Sequence, residues 1–306
     1  MSVPAPIAAP FGRVLTAMVT PFDEAGALDL DAAAALAVHL IEHGHDGLVV
    51  NGTTGESPTT RDEEKADLVR TVVEAVGHRA TVVAGVGTND TAHTVELARQ
   101  AARVGAHGLL VVTPYYSKPP QDGLVEHFRR AADATDLGCM LYDIPGRSGV
   151  PIETETLVRL AEHPRITAVK DAKGDLYASA WVMARTDLAY YSGEDAMNLA
   201  HLANGAVGVV SVVGHVAGEQ HALLVEAVDA GDLGSARSIS RRLLPAVRGI
   251  MTRGQGAVMA KAAVQLTGVL TRRSVRLPLV PATDAQVDLL RADLADARLL
   301  PGGSAT

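Results

Sequence analysis

Of the five lysines in this chain, only Lys170 stands where an amine could act as a nucleophile. It ends the apolar run Ile166-Thr-Ala-Val169. Lys65 lies in a charged stretch, Lys118 in a Pro-rich one, Lys173 beside Gly174, and Lys261 in a helical C-terminal region. An ammonium at the end of an apolar strand is desolvated and loses its proton more readily, and the neutral amine can attack a carbonyl. A strand-end lysine can equally snorkel to water. What decides between these is the structure that the other apolar runs build.

Those runs also end in polar groups, and the groups are of a restricted kind. They are Asn51-Gly-Thr53-Thr54-Gly-Glu56, Thr113-Pro-Tyr115-Tyr116, Tyr142-Asp-Ile-Pro-Gly-Arg147, Ser192-Gly193 and Ser211. Glycines on both sides of Thr53 and Thr54 permit a tight turn that could receive a small carboxylate, although an ordinary strand-to-helix turn reads the same way. The turn lacks the Lys-Ser/Thr ending of a nucleotide phosphate loop. Only six tyrosines occur, and Tyr115, Tyr116 and Tyr142 stand at run ends. A buried phenol can pass a proton in imine chemistry, or can simply pack with its hydroxyl satisfied. Arg147 could clamp a carboxylate with its planar fork, or lie at the surface. His39 and His43 have a metal-compatible spacing but close a helix, where cationic side chains complement the dipole. The segment 85–90, GVGTND, lacks the glycine pattern of a dinucleotide site. No metal, nucleotide or dinucleotide cofactor is expected from these residues.

The elements that must position these groups follow one rhythm. Short apolar runs occur at 14–20, 47–50, 81–86, 108–114, 139–145, 166–172, 188–193 and 208–213. Between them lie amphipathic stretches with helical spacing, such as 61–76 and 91–104. Thr60, three residues before Glu63, and Asp29 read as helix N-caps, and Gly44, Gly77 and Gly105 as the glycines just past helix ends. Continuous apolar strands alternating with helices imply a parallel sheet covered on both faces, and eight such units fit a closed barrel. The spacing therefore predicts a (β/α)8 TIM barrel over 12–230, preceded by an N-terminal tail (1–11) and followed by a C-terminal helical extension (231–306). In that fold catalytic groups project from the C-terminal ends of strands, which places Lys170 at the barrel mouth.

The formal charge is −8, with 27 Lys+Arg and no basic block, so the chain has no electrostatic footprint for nucleic acid. Cys139 is the only cysteine, which excludes intrachain disulfides and favours a reducing compartment. No signal peptide or membrane-spanning run is evident, so a cytoplasmic location is expected.

Taken together, GTTGE (52–56), TPYY (113–116), YDIPGR (142–147), VKDA (169–172) and SGEDA (192–196) resemble the dihydrodipicolinate synthase family, within the N-acetylneuraminate lyase-like class I aldolases. The resemblance covers about 12–300. It implies that Lys170 forms an imine with pyruvate and that Thr53 and Thr54 hold the pyruvate carboxylate. Tyr142, Thr53 and Tyr116 would form a proton relay, with Tyr116 reaching into a neighbouring subunit's site. Arg147 would bind the carboxylate of L-aspartate-4-semialdehyde, and the Gly193 and Val210 backbones would line the pocket. Asp143 departs from the asparagine common at its place, which bears on fine orientation. The implied product is 4-hydroxy-tetrahydrodipicolinate, on the route to diaminopimelate and lysine. The implied assembly is a homotetramer built as a dimer of dimers. Two other readings stay open: a sister aldolase acting on sialic acid or a 2-keto-3-deoxy sugar acid, and a catalytically silent barrel that binds a keto acid. Arg147 and the Tyr115-Tyr116 doublet oppose the first, Lys170 and Tyr142 the second.

Overall fold

The computed structural model describes residues 8–300. Every apolar run contributes a strand: β1 (Val14–Ala17), β2 (Gly47–Val50), β3 (Thr81–Gly85), β4 (Gly108–Val112), β5 (Gly138–Asp143), β6 (Ile166–Asp171), β7 (Ala189–Ser192) and β8 (Gly208–Ser211). The strands pair in parallel and in chain order, and β8 returns to β1, closing the barrel. The helices are α1 (Leu30–Glu42), α2 (Asp62–Val76), α3 (Thr91–Arg103), α4 (Gln121–Asp133), the short α5 (Pro145–Ser148), α6 (Thr154–Ala161), α7 (Leu176–Met183), α8 (Asn198–Ala203) and α9 (Gly214–Asp229). Beyond them come α10 (Leu233–Val247), α11 (Gly256–Leu266) and α12 (Asp284–Asp296).

The strands read as continuously apolar because both of their faces are buried, against different partners. Leu15, Val49, Val83, Leu110, Met140, Tyr142, Ala168, Tyr191 and Val210 form one cluster, the barrel interior. Their chain neighbours Leu48, Val50, Val82, Leu109, Val111, Leu141, Val169 and Tyr190 belong to a second cluster, which the surrounding helices cover. This is the two-residue alternation of a strand, and it sends Tyr142 and Lys170 inward side by side, paired across β5 and β6.

Phe11, at the end of the expected tail, is 2% exposed and belongs to the interior cluster. Its backbone N–H donates to the Tyr191 hydroxyl at 3.2 Å. Its ring lies so close to Gly108 that a Cβ there would come within 2.3 Å of it. It closes the floor of the barrel. Residues 1–7 and 301–306 of the expected tail and extension lie outside the described residues. Within the extension, Leu243, Val247, Met259, Val264, Leu290 and Leu294 join the same outer cluster as the barrel helices.

Two of the expected helix ends differ. Asp29 caps α1 as read, accepting from the Ala32 N–H at 3.0 Å. For α2 the cap shifts by one residue: Arg61 occupies it, and the Glu64 carboxylate reaches back to the Arg61 N–H at 2.8 Å, so the pair is not Thr60 and Glu63. Gly44 and Gly105 take the left-handed conformation expected past a helix end, with φ of +90° and +91°. Gly77 instead keeps φ of −61°, and its role is steric, since a Cβ would meet the Val73 carbonyl at 2.6 Å. Among the described residues no helix is long and apolar enough to cross a membrane.

Candidate active site

The C-terminal ends of the strands surround a cleft lined by Asn51, Thr53, Tyr115, Tyr142 and Arg147, among others. The β2 loop delivers Thr53 and Thr54. This turn is internally tied: the Gly55 N–H donates to the Gly52 carbonyl at 3.0 Å and the Glu56 N–H to the Thr53 carbonyl at 3.1 Å. From the segment after β1, the Thr20 hydroxyl donates to the Gly55 carbonyl at 2.7 Å. On β3, Gly85 is required where it stands, because a Cβ would lie 2.4 Å from the Asn51 carbonyl oxygen.

Lys170 is paired with the cleft residue Tyr142 across β5 and β6 and is not itself part of the cleft lining. It is 4% exposed, with its Nζ 4.2 Å from the centroid of the Tyr142 ring. On the other side stands Gly193, where a Cβ would approach the Lys170 side chain to 2.9–3.0 Å. A side chain at that position would therefore press the lysine out of place. Burial lowers the Lys170 pKa to about 8, aided by the Arg147 guanidinium and opposed by Asp195 and Glu194. Burial likewise pushes the Tyr142 phenol up to about 12, against Arg147 and a hydrogen bond with Thr53. At neutral pH the phenol keeps its proton, and the amine is much closer to losing its own.

Arg147 is positioned by the turn after β5. Pro145 starts the single helical turn of α5, the Arg147 N–H donates to the Ile144 carbonyl at 2.9 Å, and the guanidinium is exposed on the cleft wall. Val210 is fully buried on β8 in the barrel interior. Asp143 faces away from Tyr142, accepting from the Ile152 N–H at 3.1 Å and pairing with Lys173 at 3.0 Å. Of the expected residues, Thr53, Tyr142 and Arg147 line the cleft, Lys170 lies against Tyr142 and Gly193, Thr54 and Val210 are buried outside the lining, and Tyr116 points to solvent. It is 89% exposed, at a left-handed φ of +74°.

Two groups beside the site went unassigned in the sequence reading. Asp195 is buried beyond the end of β7, receiving the Ser211 hydroxyl and the N–H groups of Val212 and Val213 at 2.8 and 2.9 Å. Its carboxylate thereby shapes the turn after β8 and opposes the fall of the Lys170 pKa. The available signal was an acid three residues past a strand end within SGEDA. The second group is the Glu56–Lys261 ion pair, buried on both sides. Among the described residues no cluster of three or more His, Cys, Asp or Glu could hold a metal ion. His39 and His43 stack on each other with ring centroids 4.0 Å apart.

A family model described as the dihydrodipicolinate synthetase family matches residues 10–297. The 4-hydroxy-tetrahydrodipicolinate synthase of Kineococcus radiotolerans is 70% identical over 292 residues, which are 95% of each chain. That of Acidothermus cellulolyticus is 64% identical over 289 residues, 94% of this chain and 93% of its own. Among solved structures, the chloride-inhibited dihydrodipicolinate synthase of Acinetobacter baumannii complexed with pyruvate aligns with a TM-score of 0.91 and 32% identity. The match covers 95% of this chain and all of that one. A match that runs from the floor residue Phe11 through all eight strands to the last helix leaves no element outside it, and the chain belongs to the dihydrodipicolinate synthetase family.

Proposed function

We propose that the chain condenses pyruvate with L-aspartate-4-semialdehyde on Lys170 to give 4-hydroxy-tetrahydrodipicolinate. The observation that carries the lysine's role is its place, buried against the ring of the cleft residue Tyr142, with its pKa lowered to about 8. The neutral Nζ attacks C2 of pyruvate, the carbonyl oxygen leaves as water, and an imine forms. Loss of a proton from C3 gives the enamine, whose C3 attacks the aldehyde carbon. The substrate's own amine then adds at C2 and displaces Lys170, closing the ring and restoring the free lysine. Thr53 and Thr54 hold the pyruvate carboxylate, and the phenol of Tyr142, which lines the cleft with Thr53, moves the protons. Gly193 and the Val210 backbone shape the pocket around the lysine.

The test is borohydride reduction in the presence of pyruvate, followed by peptide mass mapping. One three-carbon adduct per chain is expected, on Lys170. Lys261 is an internal control, because burial lowers its pKa to about 8 as well. It is tied to Glu56 and to the Ser274 carbonyl and lies over the Phe22 ring, whereas Lys170 lies over the ring of the cleft residue Tyr142. An adduct on Lys261 would show that basicity alone selects the nucleophile.

Arg147 takes the semialdehyde carboxylate. Arg147→Ala should raise the semialdehyde KM roughly ten- to a hundredfold, the worth of a charge-assisted bidentate contact. Its effect on pyruvate should be small and of a definite sign. Removing a like charge lets the Lys170 pKa rise, so imine formation at neutral pH slows slightly. Equal losses for both substrates would remove Arg147 from this role.

The assembly is a homotetramer, a dimer of dimers, in which Tyr116 completes the neighbour's proton relay. The support is its exposure and strained backbone, which point the phenol away from its own barrel. Tyr116→Phe and Lys170→Ala, each nearly inactive, should regain part of their activity when mixed under conditions that exchange subunits. Demonstrated exchange without recovery would return Tyr116 to its own site.

A further inference from the structure

We propose that Glu56 and Lys261 form a strut by which the C-terminal helices hold the Thr53–Thr54 turn in its pyruvate-binding shape, with Glu56 and Lys261 as positioning residues. The inference rests on the reading of that turn as the pyruvate carboxylate site. The two residues are 205 apart in the chain, one in the β2 loop and one on α11. Both side chains are almost fully buried, at 0% and 1% exposure. One Glu56 oxygen receives the Lys261 ammonium, and the other accepts the Arg276 N–H at 2.9 Å. Lys261 also donates to the Ser274 carbonyl at 2.7 Å and lies 4.2 Å over the Phe22 ring. The Arg276 guanidinium grips the far end of the same turn, donating to the Thr59 carbonyl at 2.9 Å and to both oxygens of Glu64.

Two features separate a strut from simple glue. Glu56 adopts a left-handed φ of +56°, which a residue with a Cβ keeps only when its surroundings impose it. Its carboxylate, held through both oxygens, supplies that constraint two residues from Thr54. Moreover, a buried ion pair adds little stability over an apolar pair of the same volume. What it does supply is direction: two charge-assisted hydrogen bonds fix where the Glu56 backbone lies. Lys261 is thus accounted for without any chemistry of its own.

The double variant Glu56→Gln/Lys261→Met removes both charges together, so neither is left buried alone. It should fold, with a Tm within a few degrees of the parent, and still give the Lys170 adduct at saturating pyruvate. Its KM for pyruvate should rise about tenfold, as expected when a binding group shifts by a fraction of an ångström. Its KM for the semialdehyde should move less than twofold. A folded double variant with an unchanged pyruvate KM would overturn the strut, as would losses of Tm and kcat with both KM values intact. The unaltered protein offers a second measurement, because coupling between sites is reciprocal. Hydrogen exchange at 256–276 should slow together with that at 52–60 when pyruvate is added, and slowing confined to 52–60 would also overturn it. Should the parent itself form no Lys170 adduct, the reading of the site fails rather than the strut.

Discussion

Lys170→Ala should leave no reducible pyruvate adduct and lower kcat by about 10³-fold or more, because the covalent route disappears with the amine. The size of the loss follows from where the lysine is. An amine with a pKa near 10.5 is almost wholly protonated at neutral pH, and burial brings Lys170 to about 8. That change raises the neutral fraction at pH 7 by roughly 300-fold. The sign also fixes a pH profile. Imine formation by the parent should rise with pH through a midpoint near 8 and then level off, measured as the rate of adduct accumulation under borohydride. A midpoint near 10 would mean that the lysine is solvated in the working enzyme. Packing is not the source of the expected loss. Alanine removes a side chain that touches Gly193 and the Tyr142 ring, whereas the strand itself is held by its pairing to β5 and β7.

The barrel was legible because its strands carry one signal eight times. An apolar run bounded by a glycine or a polar strand end reads the same at 47–50 as at 208–211, and helical segments stand between successive runs. The candidate site was legible for a related reason. Groups that must meet at a barrel mouth all lie at the ends of those runs, so reading only the ends collects Thr53, Tyr142, Arg147 and Lys170. What escaped was whatever depends on contacts between distant parts of the chain. Lys261 looked like one more lysine in the C-terminal helices, since no periodicity connects it with Glu56, 205 residues away. Asp195 was quoted within SGEDA without a role, because its partners are backbone N–H groups on the next strand's turn. At the start of α2 the misreading was local. Thr60 and Glu63 have the spacing of a capping pair, but Thr60 donates its hydroxyl to the Ser57 carbonyl, and the cap falls to Arg61 and Glu64.

Tyr142→Phe should slow turnover on the order of 10²- to 10⁴-fold, the usual worth of a positioned proton-transfer group, while leaving the lysine and its surroundings almost unchanged. The ring packs beneath the Lys170 ammonium, and phenylalanine keeps that ring. Burial, the main cause of the lysine's low pKa, is therefore retained. Only the hydroxyl is lost. With the phenol pushed up to about 12, the proposed relay is a protonated phenol that passes one proton as it receives another, and not a standing phenolate. The variant should accordingly reach the same final yield of Lys170 adduct under borohydride, but slowly, and with the pH midpoint of adduct formation still near 8. The KM for pyruvate should change little, since the supports of the Thr53–Thr54 turn, its own backbone bonds, Thr20 and the Glu56–Lys261 pair, are all left in place. A variant that forms adduct at the parent's rate and loses only the later steps would place the phenol in ring closure alone. One that forms no adduct at any time, with the lysine's pH midpoint displaced, would show that the hydroxyl sets the amine's environment instead of moving its protons.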